Sequence, residues 1–598
     1  MSQHRPKRLW LLLLALTAFA FSFRLLNLWA ISDTPWAARY LTAHTGDDFV
    51  FFQWAQTILA DDWLGRDTYH PYGNWMRKVG DIEEWHRWWG GKEVFHQTPL
   101  FPYLLAIWLA LYKGSVSLVL ATQLLLGSLQ LIVMYFLAKR LFDHRVGLVA
   151  AILTALYGPF IFYQTTLLRD WLVPVLESLA VLTLLKAGTS GRPYAWGLAG
   201  ASLGIAVLCK PTALLLVPAA LVWIVYDHGR EWQKTSIALS SVIVGLVLIL
   251  TPLLIRNAVV GAPLFALSTR PVEAFILANN TDNDLTSIRR VLERSGGNLS
   301  RAVQETITLH REKSTSFFAK QLRKLRRLAS PHEFPNNTSI YYVLELSPLL
   351  HWTIGYGTIF PLGVVGLLMC LTSWRHHLLM FLYGTASLMS ILLTYPIARY
   401  RLVVVPVLIL YGAALLIHWV DTVRERRAVR ALGIAGLVLT LVVLEHLLDR
   451  KPYRPFANDY YNSAVAYRQR NDFDQAVHEI STLSQRLMAD SLHSRAAYEA
   501  TGMEGDYRVE WAKRLIRTEE IERAREQVEL AEAAYAKDPN LVSSHYNVGI
   551  LYAGVGEFEK ARRSLEQFLN VAPEDPKVAR ARNLLLRIKE PRKSLIEE

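Results

Sequence analysis

The chain has 598 residues, 52% of them hydrophobic, a mean hydropathy of +0.20 and a formal net charge of +13. That length is more than one domain normally uses, and that hydropathy is high for a soluble protein of this size. No recognition motif accompanies the positive charge, so nucleic-acid binding is set aside in favour of Lys and Arg gathered in cytoplasmic loops.

Long apolar runs alternate with short polar breaks up to about residue 448, and from 449 onward the chain is charged and Ala-rich. A helix needs about 20 apolar residues to cross a bilayer core. The predicted spans are 9–30, 98–113, 116–138, 146–164, 169–187, 195–209, 212–226, 235–255, 350–372, 378–396, 401–419 and 431–448. The expected fold is all-α: a polytopic bundle of roughly twelve spans, then a soluble helical repeat. The expected domains are 1–450, with loops 31–97 and 257–349, and 451–598. Cys209 and Cys370 both lie in apolar runs, which argues against a disulfide framework.

The N-terminus carries Arg5, Lys7 and Arg8, and alternate breaks carry Lys139, Arg140 and Arg145; Lys186 and Arg192; Arg230 and Lys234; Arg375; and Arg424, Arg426, Arg427 and Arg430. The positive-inside rule makes that side cytoplasmic. Loops 31–97 and 257–349 and the tail then face outward, periplasmic if the membrane is a bacterial inner membrane. Ala18-Phe19-Ala20 resembles a signal cleavage site, but an uncleaved first span is favoured.

Loop 31–97 opens on Gly46-Asp47-Asp48-Phe49. Adjacent carboxylates at a membrane surface suit acid/base work, one taking a proton and the other tuning its neighbour. A solvated turn or a helix N-cap would use the same residues. The loop also holds seven of the 18 tryptophans, which suits a membrane interface or the C–H face of a sugar. It ends in His96-Gln97-Thr98-Pro99-Leu100-Phe101-Pro102-Tyr103, with prolines that suit a helix start.

Arg169-Asp170 sits at the outer end of a span, where an ionisable pair is a functional candidate or a mutual salt bridge. Lys210-Pro211, Arg256-Asn257 and Arg399-Tyr400-Arg401 bring four more cations to the same face from three places. Such a cluster suits an anionic lipid head group such as a phosphate. Loop 257–349 holds a basic amphipathic stretch, Phe317 to Leu328, expected to lie on the membrane surface. Asp282-Asn283-Asp284 is a weak match to a metal-binding acid pair.

Tail segments match at an offset of 37: Glu520-Ile521-Glu522-Arg523-Ala524-Arg525 with Glu557-Phe558-Glu559-Lys560-Ala561-Arg562, and Asp538-Pro539 with Asp575-Pro576. An earlier unit from Tyr461 to Ala476 matches Tyr546 to Ala561. These resemble tetratricopeptide repeats, whose period is about 34 residues, and about three units fit.

Taken in order, the acid pair, the Thr-Pro-Leu-Phe-Pro-Tyr segment, the later acid, Lys-Pro, Pro-Leu-Leu-Ile-Arg-Asn and Ala-Arg-Tyr-Arg-Leu-Val-Val-Val-Pro resemble the membrane glycosyltransferases of the GT-C superfamily. Within that superfamily they look like the bacterial protein-mannosyltransferase and aminoarabinose-transferase relatives, glycosyltransferase family 39 and its neighbours. The resemblance covers roughly residues 5–450. It implies a polyprenyl-phosphate-linked sugar donor, hexosyl or pentosyl, and inverting transfer at the outer face to a protein or glycan acceptor. Asp47 matches the general base, Asp48 its acidic neighbour and Asp170 the acid of a later loop; Lys210, Arg256, Arg399 and Arg401 match donor-phosphate positions. Lys210 stands where relatives often carry Arg, and the first loop is unusually long and Trp-rich. The resemblance implies no certain cofactor and leaves a divalent metal open, with no metal residue assigned. The expected partners are the lipid-linked donor, membrane lipids, the acceptor, and a protein bound by the tail. Two alternatives are a flippase of lipid-linked sugars, for which no inverted internal repeat is seen, and a membrane anchor for the tail, which would not need so many spans.

Overall fold

The computed structural model describes residues 5–42, 46–66, 68–229, 231–281, 284–448, 457–490, 495–538 and 544–589. Arg230, Asp282 and Asn283, Pro539 and the boundary near residue 450 lie outside the described residues. The described chain is helical, with one isolated backbone bridge between Tyr157 and Ile354. It divides into two compact units, one of Met1–Asp33 with Ala43–Pro455 and one of Thr34–Thr42 with Phe456–Glu598.

Among the described residues of the first unit, eight segments are long and apolar enough to cross a membrane: Arg8–Ser32, Val116–Leu141, Arg169–Ser190, Pro211–His228, Trp232–Val260, Tyr356–Leu393, Val405–Arg424 and Ala428–Leu447. Leu100–Leu111, His144–Leu156 and Pro193–Cys209 are shorter apolar helices. Tyr356–Leu393 is two helices, Tyr356–Met369 and Trp374–Leu393, joined by a 3-10 turn. The first helix is integral to the bundle: its Leu13 and Ala20 are buried with Leu131, Tyr135, Ala151 and Ala155.

Helices in lipid gain nothing from burying apolar faces against one another, so they associate by close packing at small residues. Gly200 and Gly245 let Pro193–Cys209 approach Trp232–Val260; a Cβ at either would lie 2.0 Å from a backbone oxygen, of Val242 and Gly197 respectively. Gly366 does the same against Tyr411, where the distance would be 2.1 Å.

Contacts define the ends of this bundle. Arg145 pairs with Asp421 at 2.7 Å, His376 bonds the Leu141 carbonyl at 3.1 Å, and the Tyr226 and Trp374 rings meet at a tilt with centroids 5.7 Å apart. The basic breaks around residues 139–145, 374–376 and 421–427 therefore share one end. The opposite end carries the polar segments. There Met76, Val79, Trp85, Trp88 and Trp89 of the first loop form one core with Phe275, Ile276, Ile288, Val291, Leu292, Ala302 and Leu309 of the second. Three of the loop tryptophans are thus core residues of a helical cap, which the interfacial reading did not anticipate. The helix Phe317–Leu328 forms as expected, with Phe318 87% and Leu322 68% exposed. Its Lys324 turns the other way and bonds Asn279 Oδ1 and the carbonyls of Leu392 and Thr394 at 2.6–2.8 Å.

The second unit stacks helix pairs Ala457–Gln469 with Phe473–Asp490, Arg495–Arg517 with Ile521–Tyr535, and Ser544–Gly554 with Phe558–Val571, followed by Val578–Lys589. Ala464, Ala476, Ala524 and Ala561 are completely buried, small residues at the positions that the offsets pair. The segment Thr34–Thr42 belongs to this unit although the chain before and after it belongs to the other.

Overpacking a closely packed helix pair costs about 1–3 kcal/mol. Gly245→Leu should therefore lower the thermal unfolding midpoint of the purified protein clearly. Gly433→Ala, where a Cβ meets nothing within 4 Å, should leave it unchanged.

Candidate functional site

Asp47 and Asp48 are the first two residues of the helix Asp47–Leu59, with Gly46 at the N-cap. The positive end of a helix favours carboxylates in its first turn, so both residues suit the helix start. The helix is fixed by its apolar face: Phe51 meets Phe101 at 5.1 Å and Trp54 meets Phe95 at 4.9 Å. Asp48 is 1% exposed.

Asp170 lies in the 3-10 turn Arg169–Trp171 that starts a long helix, and the turn is wholly buried. Lys210 separates the helix Pro193–Cys209 from the turn Pro211–Leu215 and is extended, at φ −150° and ψ 128°. Pro211 imposes this, because a residue before proline is driven from the helical region. Arg399 sits in the short helix Ala398–Arg401, whose first N–H donates to the Phe334 carbonyl at 3.0 Å.

These segments converge. Arg399 bonds the Asp47 carboxylate at 2.5 Å and lies 3.6 Å from that of Asp170. Lys210 Nζ donates to the other Asp170 oxygen at 2.9 Å and lies 3.9 Å over the Tyr400 ring. Asp170, Lys210 and Arg399 are all buried. Burial alone would raise the Asp47 pKa; the charges of Arg399 and Arg270, aided by Asn337, outweigh it and hold the carboxyl well below its usual range. Asp47 is therefore ionised.

Arg169 does not pair with its neighbour Asp170 as the simplest sequence reading had it. Its guanidinium donates to Gln97 Oε1 at 2.5 Å, Thr98 Oγ1 at 2.6 Å and the Cys209 carbonyl at 3.2 Å. Thr98 Oγ1 in turn donates to the Cys209 carbonyl at 2.7 Å. The His96-Gln97-Thr98 stretch thus ties two loops together. His96 is buried, and that burial pushes its imidazole pKa well down; Nδ1 meets Thr269 Oγ1 at 3.2 Å.

A cavity of about 510 Å³ opens beside this network. Its lining includes Arg169, Lys210, Arg270 and Tyr400, no carboxylate, and apolar walls from Leu214, Leu215, Pro218, Leu267, Phe275 and Leu393. Arg270 was not foreseen. It starts the helix Arg270–Asn279 and bonds Glu273 at 2.7 Å, whose own carboxyl is pushed up by burial. The only sequence signal was an Arg-Pro dipeptide suited to a helix start, which says nothing of what the side chain faces.

Two expected members lie elsewhere. Arg256 donates to the backbone carbonyls of Leu64, Gly65 and Glu93 and stacks on Phe95 at 3.8 Å. It lines a separate cavity of about 310 Å³ with Trp63, Tyr103 and Pro252. Arg401 bonds Glu333 at 2.6 Å and the carbonyls of Ser330 and His332 at 2.7 and 2.8 Å. The segment 332–334 is therefore the partner of the turn Ala398–Arg401. Among the described residues, no group of three or more His, Cys, Asp or Glu side chains is arranged to hold a metal ion.

Residues 96–255 match the family model described as dolichyl-phosphate-mannose-protein mannosyltransferase. No curated protein matches the chain. Among solved structures it is similar to the oligosaccharyltransferase of Archaeoglobus fulgidus in its apo form, with 16% identity, a TM-score of 0.43, and coverage of 77% of this chain and 59% of that one. It is also similar to the same organism's AglB in complex with an inhibitory peptide and a dolichol-phosphate, with 16% identity, a TM-score of 0.39, and coverage of 83% and 58%. The chain thus spans about three fifths of the length of these two proteins.

Removing one partner of a buried ion pair costs about 3–5 kcal/mol, because the other charge is left uncompensated. Arg399→Gln should destabilise the protein accordingly. In the wild type, Asp47 has a depressed pKa, so its contribution is present above the unfolded carboxyl value of about 3.9 and is lost as pH falls. The wild-type-to-variant gap in unfolding midpoint should be widest near neutral pH and narrow below about pH 4, where the variant's carboxyls protonate.

Proposed function

From the match of residues 96–255 to the dolichyl-phosphate-mannose-protein mannosyltransferase model, we propose that the chain is a GT-C-type glycosyltransferase that transfers a sugar from a polyprenyl-phosphate carrier to a protein or glycan acceptor. The observation that carries this is the 510 Å³ cavity, with three cations, no carboxylate and apolar walls in its lining. That is the chemistry of an anionic head on an apolar chain: the guanidiniums hold phosphate oxygens in pairs and Lys210 supplies a point charge.

In this reading Asp47 is the general base. It takes the proton of the acceptor nucleophile as that atom attacks the anomeric carbon. The bond to the carrier phosphate breaks, and Arg169, Lys210 and Arg270 stabilise the charge the phosphate gains. Asp170 is a positioning residue that holds Lys210 and Arg399. Asp48 is the acidic neighbour of the base. Of the cations expected to hold the donor, Lys210 lines the cavity and Arg399 backs it; Arg256 and Arg401 support the surrounding loops.

The site lies at the end of the bundle opposite the basic loops. The positive-inside rule then places it on the outer side of the plasma membrane. The tail, read as a tetratricopeptide-type repeat of residues 451–598, would hold an acceptor or protein partner on that side.

Purified protein incubated with a panel of polyprenyl-phosphate sugars should release the lipid phosphate. A general base contributes roughly 10²–10⁴-fold, so Asp47→Asn should lose at least that lower factor in turnover while inserting normally into the membrane. Arg270→Gln should raise the donor KM with a smaller change in kcat. Full turnover by Asp47→Asn would end the assignment of this residue.

A further inference from the structure

A second cavity, of about 560 Å³, lies within the membrane unit and shares no lining residue with the first. Its walls are largely apolar, with Leu344, Leu350, Pro361 and Leu362 on one part and Val438 and Val442 of the last long apolar helix on another. Glu333 and Tyr356 also line it. Glu445 lies on the same helix as Val442 and His446; its Oε2 would be 3.6 Å from a Cβ at Gly357, another lining residue.

The three polar side chains here are incompletely bonded. Glu333 is 6% exposed, Tyr356 1% and Glu445 2%. Glu333 Oε2 is taken by Arg401 at 2.6 Å, but Glu333 Oε1, the Tyr356 hydroxyl and both Glu445 oxygens have no hydrogen-bond partner among the described residues. A buried acceptor without a donor carries its full desolvation penalty. Two carboxyl groups and a phenol left so in one apolar pocket describe a site whose missing component donates hydrogen bonds.

We infer that this cavity binds an amphiphile whose head group donates hydrogen bonds through an ammonium or through sugar hydroxyls. The head meets Glu333, Tyr356 and Glu445, and the hydrocarbon lies along Val438 and Val442. The two acidic side chains distinguish this site from the cation-lined cavity, which suits a bare phosphate. The inference needs no sugar transfer and stands apart from the donor reading.

The full chain in phosphatidylcholine nanodiscs, whose lipid heads carry no N–H or O–H donor, is the reference. Parallel samples contain phosphatidylethanolamine or a monoglucosyl diacylglycerol as an equal fraction, and bound lipid is counted by native mass spectrometry. One donor-bearing lipid should be enriched roughly tenfold over phosphatidylcholine, about 1.4 kcal/mol, and the arm that shows it identifies the donor as ammonium or hydroxyl. Enrichment should fall towards parity in Tyr356→Phe and in Glu445→Leu. Tyr356→Phe removes one oxygen and keeps the ring beneath Arg401, so it decides the matter if Glu445→Leu does not accumulate. Equal occupancy of all lipids in the wild type, or enrichment unchanged in the variants, overturns the inference.

Discussion

Two carboxylates, Asp47 and Asp170, are withdrawn from water onto one guanidinium, and much of the surrounding architecture follows from the cost of doing so. Each buried ion loses several kcal/mol of hydration. Arg399 and Lys210 return part of this only because they are held at 2.5 and 2.9 Å from their partners. Such geometry needs rigid supports from separate parts of the chain. A helix start presents Asp47, a 3-10 turn presents Asp170, a proline-fixed break presents Lys210, and a one-turn helix presents Arg399. None of these segments satisfies its own charge locally.

The supports are themselves charge-neutral arrangements. Arg401, two residues from Arg399, is matched by Glu333 and two carbonyls, which anchors the turn from behind. Arg169, beside Asp170, is spent on Gln97, Thr98 and the Cys209 carbonyl, which locks the turn to the first loop and to the residue before Lys210. Cations adjacent in sequence therefore divide between structure and site. The ones that also line the 510 Å³ cavity are those whose partners leave donors to spare: Lys210 and Arg270 are each bonded to one carboxylate, and Arg169 bonds only neutral acceptors.

That division explains which parts of the site could be read in advance. The bundle was legible because 18-residue apolar runs carry a signal independent of tertiary context. Asp170, Lys210 and Arg399 stand at or beside predicted span ends and Asp47 in the loop after the first span, so hydropathy placed them at one face. Hydropathy says nothing about direction around a helix axis or about loop partners. Arg256 and Arg401 look identical to Arg399 by that measure, yet three carbonyls claim one and Glu333 the other. Arg270 was silent for the converse reason. It lies in a loop whose fold depends on Trp85, Trp88 and Trp89 packing against Phe275 and Ile276, a contact between segments far apart in the chain.

The ion network also bears on how the proposed base is switched on. A carboxylate held well below its normal pKa by Arg399 is a weak proton acceptor, so in isolation Asp47 is poorly matched to its role. Arg399 also lies 3.6 Å from Asp170, whose other oxygen is bonded to Lys210 at the cavity wall. A phosphate entering that cavity draws on the same positive charge. As Lys210 turns to the phosphate, Asp170 gains a claim on Arg399, and the hold of Arg399 on Asp47 weakens. Such a loss would raise the pKa of Asp47 towards its ordinary value. On this reading the carboxylate–guanidinium–carboxylate chain would link a phosphate in the cavity to the strength of the proposed base.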